Sequence, residues 1–203
     1  MNIFLQGLTM GLAYVAPIGM QNLFVINSAL TNRRKRALLT ALIVIFFDIT
    51  LSLACFFGIG TIMQKFKWLQ MVILCVGSLI VIYIGISLLR AKTQDLEKDQ
   101  PTMSIKKTIS SACVVTWFNP QAIIDGTMML GAFHVTLAAG QETPFITGVA
   151  CASFSWFIGL TFLISLISSK FNAKVMRWIN IVCGVIIIGY GIKLFVSFVQ
   201  MLL

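Results

Sequence analysis

The chain has 203 residues, of which 59% are hydrophobic and only 10% charged, with a mean hydropathy of +0.97 and a net charge of +9. That balance excludes a water-soluble domain with an apolar core, and it predicts an all-α integral membrane protein. The positive charge is explained by topology and anionic lipid, so nucleic acid is not expected as a partner.

Between charge clusters almost every stretch is long enough to cross hydrocarbon, which takes about 20 helical residues. Six transmembrane helices are expected, running from Ile3 to Leu30, Ala37 to Thr61, Trp68 to Leu89, Thr108 to Gly131, Thr143 to Ser168 and Trp178 to Met201. The first lacks a basic start and carries its own Pro, Gln and Asn, so it reads as a retained helix rather than a signal peptide. Twelve of the fifteen basic residues fall in the loops after spans one, three and five, beginning with Arg33, Arg34, Lys35 and Arg36. The positive-inside rule puts those loops in the cytoplasm and both termini outside.

The polar stretch Ala91 to Lys107 is a cytoplasmic linker that divides the chain into residues 1–90 and 108–203, each a three-helix repeat. Three is an odd number, so the second repeat is expected to be inverted. Weak internal similarity supports this, since Lys67-Trp68-Leu69-Gln70 opens span three much as Arg177-Trp178-Ile179-Asn180 opens span six.

Spans one and four are expected to be broken. Pro17 and Gly19 precede Gln21 and Asn22 in the first; Asn119, Pro120 and Gln121 precede Asp125 in the second. Proline removes a main-chain donor and clashes with the preceding turn, so each break frees amides and carbonyls that need other partners. Interrupted helices in matching positions of two halves point to a midplane binding site served by alternating access.

Three ionisable residues lie inside the expected spans: Asp48 in span two, Asp125 in span four and Lys193 in span six. A charge at the bilayer centre costs at least about 2.5 to 3.5 kcal/mol, so such residues are functional candidates. A buried aspartate suits a group that trades a proton for a cationic substrate. The plainer readings are that either acid merely bonds open backbone at a break, and that Lys193 snorkels to the headgroups or pairs with an aspartate. Gln121 is one turn before Asp125 and shares its face. Ser153, Ser155 and Trp156 read as packing positions that could also reach a substrate. The glycines of spans three and six permit a homodimer without requiring one.

The five cysteines are scattered over different spans without metal-binding or redox spacing, and His134 stands alone, so neither a metal site nor a cofactor is expected. Two other classes stay open on the residues alone: a divalent metal-ion exporter using the paired acids, and a membrane thiol-transfer protein using two cysteines.

The motifs together resemble the lysine exporter (LysE) family, and its lysine and arginine exporting branch in particular, over almost the whole length. The matching segments are Pro17-Ile18-Gly19-Met20-Gln21-Asn22, Phe47-Asp48 with Gly58 and Gly60, Thr116-Trp117-Phe118-Asn119-Pro120-Gln121 with Asp125, Ser155-Trp156-Phe157, and Arg177-Trp178-Ile179-Asn180 leading to Lys193. The family pattern has a proline after the span-one glycine, where this chain has Met20. The resemblance implies a bacterial inner-membrane carrier, without a cofactor, that exports L-lysine, L-arginine or a close analogue. Proton antiport is the expected mechanism, because moving a +1 cargo outward against an inside-negative potential costs roughly 2.3 kcal/mol per 100 mV. Asp48 and Asp125 are then the expected couplers. Gln21, Asn22, Asn119, Gln121 and freed backbone amides are expected to hold the cargo's carboxylate, and Lys193 to pair with an acid in the empty carrier.

Overall fold

A computed structural model describes residues 2–58, 66–90, 103–168 and 173–202. The elements in chain order are α1 (Ile3–Val15), α2 (Met20–Thr31), α3 (Arg34–Phe56), α4 (Lys67–Arg90), α5 (Ile105–Trp117), α6 (Pro120–Gly126), a π-helical turn (Thr127–Gly131), α7 (Ala132–Thr136), α8 (Glu142–Ser168) and α9 (Ala173–Leu202). Most of the linker from Ala91 onward, together with Lys65, Gly60 and Lys170, lies outside the described residues.

The first interruption falls where proline chemistry requires it. The last bond of α1 runs from Ala16 N–H to Leu12 O, Pro17 cannot donate the next one, and Gly19 is extended at φ −121° and ψ −170° before α2 resumes. The two helices meet at 78°. The second interruption falls between Trp117 and Pro120. Asn119 is extended, as the residue before a proline prefers to be, and Pro120 starts α6 where a helix needs no N–H. The polypeptide then passes through the π turn, whose wider winding separates α6 from α7.

The all-α class stands, but the expected six spans in two inverted three-helix repeats do not. Among the described residues three helices are long and apolar enough to cross a membrane: Arg34–Phe56, Glu142–Ile167 and Ile181–Leu202. The bent pair Ile3–Val15 and Met20–Thr31 makes a fourth if it counts as one span. The physical reason is continuity. The stretch read as span four is cut into α5, α6, the π turn and α7, none of them long enough alone, and α4 contributes the shorter apolar segment Leu74–Ile86.

Helices α1, α2 and α3 pack on α8, and α3 also packs on α5. The fit between α1 and α8 depends on glycine. A Cβ on Gly7 would lie 2.0 Å from the Phe145 carbonyl oxygen, and one on Gly148 would lie 2.3 Å from that of Phe4. Small residues let backbones approach in this way where lipid supplies no hydrophobic driving force between helices. Helices α4 and α9 form a second tight pair in which Gly85 and Gly184 each abut the other's backbone, so these glycines serve an internal interface. Trp68 and Trp178 are exposed, as anchors at a membrane interface are.

The largest buried cluster joins α2, α3, α5 and α8 through Leu23, Phe24, Val44, Val115 and Phe157. One end of the bundle is filled by stacked Phe56, Phe145 and Phe133, with the His134 ring edge-on to Phe56 and 3.7 Å from Glu142.

Candidate functional site

Helix α3 buries Val44, Ile45, Asp48, Leu51, Ser52 and Cys55, a spacing of three and four residues that forms one stripe facing the bundle. Asp48 has 0% of its surface exposed. Its Oδ1 accepts a hydrogen bond from Gln21 Nε2 at 3.1 Å, and its Oδ2 accepts one from Ser153 Oγ at 2.5 Å. Gln21 reaches it because α2 begins one residue earlier, straight after the break; Ser153 comes from the midpoint of α8. Both partners are neutral, and among the described residues no cation pairs with the carboxylate. Ser52, one turn further along the same stripe, is buried with its Oγ unpartnered. The stripe therefore carries a buried acid and, one turn on, a buried hydroxyl without a partner.

Asn22 closes the first break. Its Nδ2 donates to the carbonyls of Val15 at 2.9 Å and Pro17 at 2.8 Å, and its Oδ1 accepts from Trp156 Nε1 at 2.8 Å. The acceptors that the proline leaves open are thus satisfied by the first turn of the next helix, and the indole fixes which way the amide points. Asn22 and Val15 are buried and Trp156 is half-buried, where an unpaired polar atom is costly, whereas Pro17 is exposed.

The second break has different partners. Gln121 Nε2 donates to Asp125 Oδ1 at 2.8 Å across one turn of α6, with Gln121 exposed and Asp125 half-buried. Asn119 makes no side-chain cap to α6. The inner face of α6 meets α1 and α3: Tyr14 Oη donates to the Ala122 carbonyl at 3.4 Å, and Cys55 Sγ to that of Ile123 at 3.6 Å. The fit around Gly126 is close, since a Cβ there would lie 2.9 Å from Cys55 Sγ and 3.3 Å from a Tyr14 ring carbon. Tyr14, three residues before Pro17, therefore packs on the helix that follows the second break.

Lys193 is exposed on α9, and among the described residues it forms no ion pair with either acid. The helix-break residues Pro17 and Gly19 sit in the α1–α2 turn, and α6 starts at Pro120. Two groups at the centre were undervalued in the sequence. Ser153 and Trp156 read as packing positions, although their spacing of three puts them on one face of α8. Tyr14 carried no signal except its place three residues before Pro17.

A helical bundle with a fully enclosed carboxylate between interrupted helices has the construction of a membrane carrier. Residues 12–197 match the LysE type translocator family, and the chain belongs to it. It is 32% identical over 188 residues to the arginine exporter protein ArgO of Klebsiella pneumoniae (strain 342), a match covering 90% of this chain and 88% of that protein. ArgO of Salmonella schwarzengrund (strain CVM19633) matches at the same identity and coverage, and that of Salmonella enteritidis PT4 (strain P125109) at 31%. No solved structure matches the chain. This is a multi-pass membrane protein of a translocator family, so transport is its class of activity. Among the described residues no three His, Cys, Asp or Glu side chains gather to hold a metal, and the five cysteines are free thiols on separate helices.

Proposed function

We propose that the chain is a secondary exporter of basic amino acids, arginine or lysine, that moves cargo out of the bacterial cytoplasm in exchange for protons. Its membership of the translocator family and its likeness to arginine exporters over 90% of its length support this reading. The observation that carries it is Asp48, a wholly enclosed carboxylate at the first break whose two partners, Gln21 and Ser153, are both neutral. Neutral donors stabilise the carboxylate without competing with a cation for its charge, so a proton and a cargo ammonium or guanidinium can alternate there. Ser52 Oγ supplies one more acceptor for the cargo's N–H groups.

Asp125, half-buried beside Gln121, is the second acid of this pair. The cargo's α-carboxylate belongs at the start of α2, where Gly19 gives no side-chain cap and the first amides point into the break. Asn119 and Gln121 offer the same service at the second break. Asn22 acts on the bend rather than on the cargo, because its amide is fully engaged with Val15, Pro17 and Trp156. Lys193 acts at the lipid boundary.

Orientation follows the basic residues: the loop holding Arg33 to Arg36 faces the cytoplasm, and both termini face outward. Exchange for one proton cancels the electrical cost of moving a +1 cargo, about 2.3 kcal/mol per 100 mV, and leaves the pH gradient as the drive. The test is efflux of radiolabelled arginine and of lysine from proteoliposomes under an imposed pH gradient. Gradient-driven efflux that Asp48→Asn and Asp125→Asn abolish is the expected result; full activity in both variants would remove the acids from the mechanism.

A further inference from the structure

We propose that Trp117 is a positioning residue for the exchange: through Thr50 its indole ties the second helix break to the peptide group that carries Asp48, so that the break and the acid move together. The inference rests on the proton-antiport reading above and adds to it the link between occupancy of the acid and movement of the backbone.

The link is a chain of two hydrogen bonds. Trp117 is the last residue of α5 before the break, and its Nε1 donates to Thr50 Oγ1 on α3 at 3.2 Å. Thr50 Oγ1 in turn donates to the Phe47 carbonyl at 2.8 Å. That carbonyl belongs to the peptide joining Phe47 to Asp48, so the chain ends on the backbone of the acid itself. A hydroxyl donates and accepts at once, and hydrogen bonds in series strengthen one another. At its other end Asp48 is bonded through its carboxylate to Gln21 Nε2, just past the first break, and to Ser153 Oγ of α8. Displacing the peptide therefore disturbs both of those bonds.

The contacts around the second break make α3 the element that follows it. Five residues beyond Thr50, Cys55 Sγ donates to the Ile123 carbonyl of α6 at 3.6 Å, so α3 holds the chain both before and after the interruption. Between these points the Phe118 carbonyl packs on α4, where a Cβ on Gly77 would lie 2.2 Å from its oxygen, and the break has no room to slip that way. The two indoles of the site thus have different tasks. Trp156, 2.8 Å from Asn22 Oδ1, holds the first break to α8, whereas Trp117 runs from the second break to the helix of the acid. Coupling between sites requires an element with two arrangements that each site biases. The interrupted backbone at Phe118 and Asn119 is that element: exchange of proton for cargo at Asp48 resets it through Thr50, and a change in its angle re-aims Asp48.

The experiment is Thr50→Val, which keeps the shape of the side chain and removes the hydroxyl. In proteoliposomes an imposed pH difference drives arginine to a steady-state gradient, which for one-for-one exchange is about tenfold per pH unit. In the variant it is expected to fall below about threefold, a loss of half or more of the coupling free energy, because cargo and proton then cross without waiting for each other. Arginine-for-arginine counterflow at equal pH is expected to stay within about threefold of the parent, the scale of one lost membrane hydrogen bond. Thr50→Ser, which keeps the hydroxyl, should restore the gradient. Trp117→Phe cuts the chain at its other end and should give the same loss, and the double variant should be no worse than either single one. A merely structural role would reduce the number of working carriers, so the parent's gradient would be reached more slowly but in full; that result overturns the proposal. So does a parent-like gradient, reached at the parent's rate, in Thr50→Val or Trp117→Phe. Failure of the underlying reading looks different: the parent protein itself would then build no arginine gradient from the pH difference.

Discussion

Replacing Asn22 by alanine tests whether the first break is held by its side chain. The substitution removes both donors to the Val15 and Pro17 carbonyls and the acceptor of the Trp156 indole, leaving two enclosed groups, the Val15 carbonyl and the indole N–H, without partners, while the carbonyl of the exposed Pro17 can be resolvated. An orphaned buried polar group costs about 1–3 kcal/mol, so the expected loss is at least about 2 kcal/mol of unfolding free energy if the bend does not rearrange. Trp156→Phe orphans only Asn22 Oδ1 and is expected to cost about 1 kcal/mol. In the double-mutant cycle the two changes should couple by about 1 kcal/mol, because the alanine variant has already lost the indole's acceptor. The measurement is denaturation in mixed micelles titrated with dodecyl sulfate, run on both single variants and the double. If Asn22→Ala proves no more harmful than Trp156→Phe, the three bonds do not support the bend and the argument from satisfied carbonyls is wrong.

Three other outcomes are expected. Ser153→Ala removes the short bond to Asp48 Oδ2 and, at the value of a hydrogen bond to a charged group, about 1.5–3 kcal/mol, should weaken gradient-driven export by roughly tenfold or more; efflux rates across external pH will show it, and a silent variant contradicts the role given to that oxygen. Gly7→Ala puts a methyl 2.0 Å from the Phe145 carbonyl and should cost about 1–3 kcal/mol in the same micelle titration, whereas Gly159→Ala, with open space around it, should be close to neutral; equal costs would mean that the α1–α8 fit does not depend on the glycine. Lys193→Met should leave arginine efflux within about twofold of the parent, since exposed side chains away from partners contribute little. A large loss would return Lys193 to the coupling machinery.

How much of this was legible in the residues depended on which signal was local. Proline is a local signal, and both interruptions occur where Pro17 and the Asn119-Pro120 pair demanded them. Asp48 was legible for a similar reason, since an acid in the middle of an apolar run needs an explanation. The number of crossings was not legible, because hydropathy counts apolar residues and does not ask whether one helix holds them continuously; Asn119 and the π turn divide a 24-residue apolar stretch that composition alone joins. The partners were hidden by distance in the chain. Ser153 is 105 residues from Asp48 and Trp156 is 134 from Asn22, so nothing in their own neighbourhoods distinguished them from packing positions. The separation of Gln21 from Asn22 was equally hidden. Adjacent amides look interchangeable in sequence, but on a helix they point about 100° apart, one toward the acid and the other back across the bend.

The π turn at Thr127–Gly131 gives the polypeptide beyond Asp125 an unusual freedom. A winding with surplus backbone behaves like a dislocation in a crystal: it can glide by one residue while the helices on either side stay intact, re-aiming each side chain it passes by about 100°. The aspartate lies just before it and the stacked rings of Phe133 just after. A one-residue glide would thus turn Asp125 and the stacked Phe133 relative to each other, on a pivot made entirely of main chain.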